Sequence, residues 1–522
     1  MEKRQIINFV NFIRGCEPRC EMDLVTPVKE QIRLLQQYNM KGTFLLQYDA
    51  LINPVFTDLL KDLPKEQFEI GVWFETVQPL VEKAGMEWRG RFPWDWHAHC
   101  GFSEGYFPQQ RKDMIDLLFQ DFKEIFGYYP KSFGSWAFDA VTLEYASKIY
   151  GLDAACNCKD QVGTDGYTLW GGYYGQAYYP SMKNAYTPAQ HPEAQIPVPV
   201  FRMLGSDPVL QYDFGYQRNG IPWDLRQGVI TLEPVYNNQY GGGGVKKWVD
   251  WYLKENFNGC CLTFGYAQAG QENSFGWDAM KDGLEDQFEK IKPMVDAGVL
   301  EVETMGETGR WYKEQFETTP ATTIAAWDDW KDEGRKSVWY SCKNYRLNLY
   351  AENGRFWIRD CYVFREDYAE RYLEDVTTTT ELRYDNLPVI DGMRFCGDGK
   401  RSGIYPQTKP GNVDEGMEFD QMLYEEKDGN AYVTFTDTPC GDVTWCLTET
   451  GLVITKTKDV PFYLVPVYGA FVRDMITVKQ ATTEALTLCF REYAYTIQLE
   501  DGFFDEQYKS FMNGNSMKVR FV

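Results

Sequence analysis

Several carboxylates in this sequence lie close to tryptophan and tyrosine rings, a combination that suits the cleavage of glycosidic bonds. Four of them follow β-rich runs and are the candidate catalytic acids: Asp139, Asp160, Glu233 and Glu272. Glycoside hydrolysis needs one carboxylic acid to protonate the leaving oxygen and one carboxylate to act as nucleophile or base. We expect Glu233 and Asp139 to form this pair, with Asp160 and Glu272 as the alternatives.

Each of these acids also fits a role outside catalysis. Asp139 ends the run Phe-Gly-Ser-Trp-Ala-Phe-Asp and precedes a segment of helical period, so it is equally typical of a helix N-cap, which is worth about 1 kcal/mol. Glu233 closes an apolar run, where a solvated loop acid is also common. Glu272 follows a glycine-rich stretch that is typical of a surface turn. The sequence leaves these roles open.

The side chains expected to bind substrate are rings and hydrogen-bonding groups near the same strand ends. Flat rings suit the faces of sugars, and 84 of the 522 residues are Phe, Tyr or Trp. Histidine, arginine and carboxylate groups suit hydroxyl or carboxylate contacts. The predicted substrate-binding residues are Trp73, Glu75, Arg91, Trp96, His97, His99, Trp136 and Trp170.

Two of the three histidines of the chain lie in the run Trp-Asp-Trp-His-Ala-His, which ends at His99. If this run is extended, Asp95, His97 and His99 lie on one face. Three nitrogen and oxygen ligands with an open position are typical of hydrolytic zinc. Closely spaced histidines also bind sugar hydroxyls or pack against tryptophan. We therefore expect no cofactor, with a divalent metal such as zinc on these three residues as the alternative.

Composition excludes other classes of function. A formal net charge of −23 repels phosphate backbones and anionic membrane surfaces, so neither nucleic acid nor membrane is expected as a partner. No GxSxG elbow and no P-loop occurs in the sequence. The 13 cysteines lack regular spacing, and the N-terminus does not resemble a secretory leader, which together predict a cytoplasmic protein. An oligosaccharide or polysaccharide is the expected partner, and the oligomeric state is not predicted.

The elements that must position these residues alternate between β-rich and helical segments over the first 315 residues. This alternation is typical of crossover units and a parallel sheet, and it predicts an irregular seven- or eight-stranded (β/α) barrel. In such a barrel the reacting groups lie at the C-terminal strand ends. The predicted strands are 6–13, 42–47, 68–73, 132–138, 152–158, 198–204, 228–233, 259–266 and 299–304.

The spacing of the apolar residues changes after the predicted barrel. A threonine-rich stretch predicts a linker over residues 319–334, between a catalytic barrel domain at 1–318 and a second domain at 335–522. In this second domain the apolar residues alternate with period two. Asn353-Gly354 and Asp428-Gly429 are hairpin turn signals between alternating runs. The C-terminal domain is therefore predicted to be an antiparallel β-sandwich that braces the barrel or helps to bind the glycan.

Several segments of the first 315 residues resemble polysaccharide deacetylases and the related barrel glycosidases. The resemblance is carried by Leu-Leu-Gln-Gln-Tyr-Asn-Met-Lys-Gly-Thr from Leu34, Phe-Glu-Ile-Gly from Phe68 and Phe-Gly-Ser-Trp from Phe133. It implies a barrel that acts on carbohydrate, and an acidic catalytic residue at Asp139, as in the related glycosidases. The whole chain also resembles a group of two-domain proteins of gut bacteria, which implies no activity.

The chain departs from the deacetylases at their metal-binding motifs. Their first strand ends in paired aspartates, whereas here the first predicted strand leads into Arg14-Gly-Cys-Glu. Their motif after Glu-Ile-Gly supplies two histidines, whereas this chain reads Val-Trp-Phe-Glu-Thr-Val from Val72. The sequence therefore favours a glycoside hydrolase with a carboxylate pair. The alternatives are a metal-dependent carbohydrate deacetylase and a glycan-binding protein without catalytic activity.

Overall fold

A computed structural model describes residues 3–164, 167–211, 230–235, 240–396, 400–409, 411, 415–469 and 475–522, with only the main chain at 162–164. Within this part of the chain the architecture is mixed α/β. A curled half-barrel of mostly parallel strands occupies the N-terminal part, and antiparallel sheets follow it.

The half-barrel has the strand order β12-β1-β2-β3-β4-β5-β11-β8, and β13 also pairs with β1. Neighbouring strands from β12 to β11 are parallel, and β8 is antiparallel to β11. The predicted fold class is confirmed. The strands of the N-terminal part are β1 (Arg4–Ile13), β2 (Gly42–Leu46), β3 (Phe68–Trp73), β4 (Ser132–Gly134), β5 (Ala154–Asn157), β6 (Gln161–Thr164), β7 (Tyr167–Leu169), β8 (Ala177–Tyr178), β9 (Pro180–Ser181), β10 (Asn184–Pro188), β11 (Val200–Arg202), β12 (Phe264–Ala269) and β13 (Glu301–Glu303).

Helices cover the outside of the half-barrel and bury one apolar face each. In the 19-residue helix α6, the residues Met114, Leu118 and Phe122 recur at helical spacing and are fully buried. Gly127 ends this helix at φ 84°, a left-handed conformation that favours glycine. The helices are α1 (Val25–Tyr38), α2 (Tyr48–Leu51), α3 (Pro54–Leu60), α4 (Gln78–Lys83), α5 (Ala98–Gly101), α6 (Pro108–Phe126), α7 (Ala140–Tyr150), α8 (Lys246–Asn256), α9 (Trp277–Asp296) and α10 (Met305–Gln315).

Two antiparallel sheets form the sandwich in the C-terminal part. One has the order β14-β15-β16-β17-β20-β26-β31-β30, with β19 and β21 also paired to β17; the other has the order β22-β23-β24-β25-β32-β29-β28-β27. Phe356 and Phe435 stack between the sheets with ring centroids 3.6 Å apart. The strands are β14 (Thr322–Ala326), β15 (Lys336–Ser341), β16 (Tyr345–Glu352), β17 (Arg355–Val363), β18 (Leu382–Tyr384), β19 (Leu387–Asp391), β20 (Gly403–Gln407), β21 (Met417–Glu418), β22 (Met422–Lys427), β23 (Asn430–Thr438), β24 (Gly441–Thr448), β25 (Gly451–Lys456), β26 (Tyr463–Val467), β27 (Ile476–Ala481), β28 (Ala485–Phe490), β29 (Tyr493–Glu500), β30 (Gly502–Phe504), β31 (Ser510–Met512) and β32 (Ser516–Phe521).

A small three-stranded sheet, β18-β7-β6, joins the N-terminal and C-terminal parts of the chain. Strand β14, which lies inside the stretch expected to be a linker, pairs with β15 at the edge of a sandwich sheet. Strand β18 leaves the C-terminal part and pairs in parallel with β7 of the N-terminal part. The hairpin of β6 and β7 is thereby held by main-chain hydrogen bonds from both parts of the chain.

Two further features bear on the expected environment. No helix among the described residues is long and apolar enough to cross a membrane. None of the 13 cysteines, all of which lie in the described part of the chain, forms a disulfide.

Candidate active site

A cleft lies at the C-terminal ends of the barrel strands. It encloses about 610 Å³, part of it open to solvent. Its walls come from the segments that follow β1, β3, β4, β5, β11 and β12, as expected for a parallel barrel. The lining residues are Arg14, Arg19, Trp94, Trp96, Trp136, Cys158, Lys159, Gln161, Tyr167, Leu204, Glu233, Glu272 and Phe275.

Glu233 is one of the two carboxylates that line this cleft. Its Oε2 accepts a hydrogen bond from Thr231 Oγ1 at 3.0 Å, and its Oε1 accepts one from Gln271 Nε2 at 3.2 Å. Burial raises the pKa of Glu233 to about 7, although these two hydrogen bonds act in the opposite direction. A carboxyl group with such a pKa carries a proton in a substantial fraction of molecules at neutral pH.

Glu272 is the second carboxylate of the cleft and follows β12. Gly270, at φ 103°, turns the chain so tightly that a Cβ there would lie 2.3 Å from the carbonyl oxygen of Val10. Beyond this turn, Oε2 of Glu272 lies 3.2 Å from Arg14 Nη2 and accepts no hydrogen bond from the described residues. The other oxygen, Oε1, accepts a hydrogen bond from Ser274. Glu272 therefore presents an ion-paired carboxylate to the cleft.

Gln271 connects the two cleft acids. Its Nε2 donates to Glu233, and its Oε1 accepts a hydrogen bond of 2.8 Å from the main-chain nitrogen of Glu272. Arg14 is held in turn by Asn273, whose side chain accepts from the main-chain nitrogen of Arg14 at 2.9 Å and donates to its carbonyl at 3.0 Å. Residues 271–273 thus fix both carboxylates against the end of β1.

Glu75 lies below the cleft floor rather than in its lining. It is fully buried and accepts hydrogen bonds from Gln47 Nε2 at 3.0 Å, Trp94 Nε1 at 2.8 Å and Arg14 Nη2 at 3.2 Å. Burial raises the pKa of Glu75 to about 7, against the opposing charge of Arg14. The structure therefore gives Glu75, predicted to bind substrate, contacts that position Arg14.

Aromatic side chains form much of the remaining wall. Two predicted residues, Trp96 and Trp136, line the cleft together with Trp94, Tyr167 and Phe275. The Arg14 guanidinium lies 3.8 Å above the Trp94 ring. Rings that surround a pair of acids are suited to hold a sugar face while the acids reach its glycosidic oxygen.

Asp139, the other half of the predicted pair, does not line the cleft. It is fully buried, caps α7 through a 2.9 Å hydrogen bond from the main-chain nitrogen of Thr142, and pairs with Arg111 Nη1 at 2.8 Å. Its Oδ2 also accepts from Ser103 Oγ at 2.6 Å. Both oxygens are therefore occupied by protein donors.

Asp160 is engaged in a similar way. It pairs with Arg202 Nη2 at 2.9 Å and with Arg346, and it accepts from the main-chain nitrogen of Gly171 at 3.2 Å. Arg346 belongs to β16 of the sandwich and also forms two hydrogen bonds, of 2.8 and 2.9 Å, with Asp360. Asp160 thus joins the half-barrel to the sandwich.

Apart from Glu75, five predicted substrate-binding residues lie outside the cleft lining: Trp73, Arg91, His97, His99 and Trp170. Trp73 is fully buried and stacks on Phe12 with centroids 3.9 Å apart. Trp170 is buried against the sandwich and donates to Asp391 Oδ2 at 2.6 Å. Arg91 is exposed and pairs with Asp95 at 2.9 Å. Large aromatic side chains also occur in a barrel core and at a domain interface. The presence of a tryptophan therefore does not by itself predict that a position lies in the cleft wall.

The predicted metal half-site is not assembled as a ligand set. Two hydrogen bonds of 2.9 Å from Arg91 hold the Asp95 carboxylate. Although burial acts in the opposite direction, these bonds help to lower the pKa of Asp95 to about 2. His97 precedes α5, and its ring lies 5.9 Å from that of His99 between centroids. Among the residues that the structure describes, no group of three or more His, Cys, Asp or Glu side chains is placed to hold a metal ion.

Comparison with solved structures identifies the barrel. A structure provisionally described as a glycoside hydrolase/deacetylase from Parabacteroides distasonis superposes with a TM-score of 0.56 at 15% identity, over 74% of this chain and 90% of that chain. The fold is a barrel like that of this glycoside hydrolase/deacetylase structure. Provisionally described polysaccharide deacetylases from Mycobacterium smegmatis and Pseudomonas aeruginosa give TM-scores of 0.31 and 0.35 at 12% and 14% identity; each covers 60% of this chain, and 91% and 93% of those chains are covered. No protein-family model matches the sequence, and no curated protein matches it.

The residues at the strand ends of this barrel do not fit the metal that the family resemblance implies. Where paired acidic ligands are expected after β1, Arg14 places a guanidinium between Glu75 and Glu272. The segment 72–77, where the resemblance implies two histidine ligands, contains no histidine. A fixed cation in this position repels a metal ion and occupies the carboxylates that would bind it.

Sequence reasoning missed several residues of the cleft. Trp94 lies in the same run as Trp96, and Lys159 directly precedes Asp160, so the strand-end rule that selected their neighbours also points to them. Gln271, which connects the two cleft acids from outside the lining, could not be predicted from the sequence, because an uncharged amide next to a carboxylate is common in loops. Burial lowers the pKa of Lys159, which lies at the cleft wall.

Proposed function

We propose that the protein is a glycoside hydrolase that uses Glu233 and Glu272 as its carboxylate pair. The observation that carries this proposal is the placement of both acids in one ring-lined cleft at the C-terminal end of the barrel. The two acids have different surroundings, as the reaction requires. Glu272 takes the role that the sequence predicted for Asp139. The oxygens of Asp139 are bound by Arg111, Ser103 and Thr142.

In this proposal Glu233 is the proton donor. Burial keeps part of its population protonated near neutral pH, and its hydrogen bonds to Thr231 and Gln271 orient the carboxyl group. As the bond between the sugar and the leaving oxygen breaks, the proton of Glu233 passes to that oxygen. Glu272 provides the negative charge beneath the oxocarbenium-like centre, as nucleophile or as the base that activates water.

The arrangement around Arg14 favours this proposal over metal-dependent deacetylation. Arg14 binds both Glu75 and Glu272, and so supplies the positive charge that orders the acids without a metal ion. The β6–β7 hairpin contributes Gln161 and Tyr167 to the cleft and is paired to β18 of the C-terminal part. The sandwich is therefore proposed to brace one cleft wall.

The proposal is tested by incubating the purified protein with a panel of plant, host and microbial glycans and quantifying new reducing ends. Wild-type protein is expected to release sugar from at least one glycan, and the double variant Glu233→Gln, Glu272→Gln is expected to release none. Asp278→Asn is the matched control, since Asp278 is an exposed acid on α9. Acetate release without new reducing ends, or glycan binding without any product, would contradict the proposal.

A further inference from the structure

Lys159 is a buried cation that faces the cleft. It follows β5, only 4% of the residue is exposed, and it lines the cleft as well as a smaller cavity behind it. Its ammonium group carries three donors. Its Nζ donates to the carbonyl oxygen of Asp160 at 3.3 Å, which accounts for one of them.

The acids closest in sequence or space to Lys159 are occupied by other donors. Asp160 is bound by Arg202 and Arg346, and Glu233 by Thr231 and Gln271. Within the described part of the chain, no carboxylate oxygen lies within the 4.0 Å ion-pair distance of Lys159 Nζ. The carboxylates of Glu233 and Asp160 stabilise the ammonium group only from beyond that distance. Because burying an ammonium group without a directly bound anion is costly, this position is better explained by an anion that arrives with the ligand.

The cleft as a whole reverses the charge balance of the chain. Among the described residues, its lining holds the cations Arg14, Arg19 and Lys159 against two carboxylates, whereas the chain has 76 acidic and 53 basic residues. Arg14 is shared between Glu75 and Glu272, which leaves Lys159 as the cation without a carboxylate of its own among the described residues. Rings beside such a cation suit a sugar that carries negative charge.

We infer that the cleft binds a sugar with an anionic substituent, a carboxylate or a sulfate ester, whose charge is held by Lys159. This inference rests on the proposed function and names the substrate class of the same site. Charge-assisted hydrogen bonds from a lysine to an oxyanion are about twice as strong as neutral ones, which makes the substituent a determinant of specificity.

The test is a calorimetric or NMR titration with monosaccharides, which contain no bond to hydrolyse. Galacturonate and glucuronate are compared with galactose and glucose, and N-acetylglucosamine 6-sulfate with N-acetylglucosamine. At least one acidic sugar is expected to bind about tenfold more tightly than its uncharged parent. Which pair shows the difference separates a carboxylate ligand from a sulfate ligand.

Variants of Lys159 test whether this residue causes the preference for acidic sugars. Lys159→Met is expected to abolish the preference, and Lys159→Arg to retain most of it. Lys61→Met, which replaces an exposed lysine directly after α3, is expected to leave it unchanged. Lys159→Gln provides a second neutral variant if the methionine disturbs folding. Equal binding of every acidic sugar and its parent, or a preference that survives both neutral variants, would overturn the inference.

This outcome is separable from that of the proposed function. Hydrolysis of neutral glycans combined with no preference for acidic sugars would refute the inference and leave the hydrolase proposal standing. A preference that depends on Lys159, combined with no new reducing ends from any uronate-containing or sulfated glycan, would refute the hydrolase proposal alone.

Discussion

The cleft and the interface between half-barrel and sandwich both contain buried carboxylates, but the partners of these carboxylates differ. At the interface, Asp139 and Asp160 are bound by arginines, and no oxygen of either faces the cleft. In the cleft, Glu233 is hydrogen-bonded only to uncharged groups among its described contacts, and burial raises its pKa. Glu272, the second cleft acid, is paired with Arg14, but its Oε2 accepts no hydrogen bond from the described residues. A buried acid is available for chemistry where it lines the cleft with an uncompensated charge or an unbound oxygen, and it is structural where all its oxygens are bound by protein donors away from the cleft.

The largest expected effect contrasts one acid from each region. Glu272→Gln should lower turnover on a cleaved glycan by about 10²–10⁴-fold, because it removes a reacting group. It should lower the melting temperature less than Asp139→Asn does, because Arg14 keeps Glu75 as a partner. Asp139→Asn should lower the melting temperature and leave the turnover of folded protein within a few fold. Both variants are measured by initial rates and by circular dichroism melts. A larger loss of turnover in Asp139→Asn than in Glu272→Gln would reverse the assignment.

The next effect concerns the arginine of the interface. Arg346→Met should lower the free energy of unfolding by about 3–5 kcal/mol, because the buried Asp360 loses its arginine and Asp160 keeps only Arg202. Urea unfolding monitored by tryptophan fluorescence measures it. Arg383→Met is the matched control, since its pair with Glu381 is exposed and worth about 0–1 kcal/mol. Equal losses in the two variants would show that the interface charges are not structural.

A smaller effect is expected from pH. Burial raises the pKa of Glu104, which lies beside Asp139, from 4.5 to about 7, so the folded protein binds more protons than the unfolded chain between these values. The stabilisation from this group is complete below about pH 4.5 and is lost as the pH rises through about 7, at about 1.4 kcal/mol per pKa unit. Unfolding measured at pH 5 and pH 8 should show this loss of stability, and Glu104→Gln should reduce it; Glu75 and Glu233, whose pKa values burial also raises to about 7, contribute to the remainder. A variant with the same loss as wild type would exclude Glu104 as one of its sources.

The smallest expected effect lies in the cleft wall. Trp96→Ala should raise KM on a cleaved glycan by about two- to tenfold with little change in kcat, because a stacked ring contributes about 0.5–1.5 kcal/mol to binding. Trp330→Ala, outside the cleft lining, should leave both parameters unchanged. A loss confined to kcat would show that Trp96 positions a reacting group instead of binding sugar.

Much of the fold followed from periodicity. The exact agreement at β3, predicted and observed over residues 68–73, reflects an apolar run with clear flanking signals. The predicted strand 132–138 is shorter, since only Ser132–Gly134 pairs, and the next residues already turn into the cleft wall and the cap of α7. The run 228–233 lies partly outside the described residues, and Thr231 makes only an isolated bridge with Ser206.

The candidate site was predictable only in part. The strand-end rule placed Glu233, Glu272, Trp96 and Trp136 on the correct edge of the sheet. It could not show that Asp160 is neutralised by Arg346, which is 186 positions away in the chain and belongs to the other sheet system. Pairing at such separation is set by the packing of the sandwich on the half-barrel, and no local pattern encodes it.

Proton donation by Glu233 is the central claim, and the dependence of the rate on the leaving group tests this role directly. Rates of Glu233→Gln are measured on the cleaved glycan and on a 2,4-dinitrophenyl glycoside of the same sugar, whose leaving group needs no proton. We predict a fall of about 10²–10⁴-fold on the glycan and of less than about tenfold on the dinitrophenyl glycoside, together with loss of the wild-type decline in rate above about pH 7. Equal losses on the two substrates, with the pH profile unchanged, would contradict the assignment of Glu233 and with it the central claim.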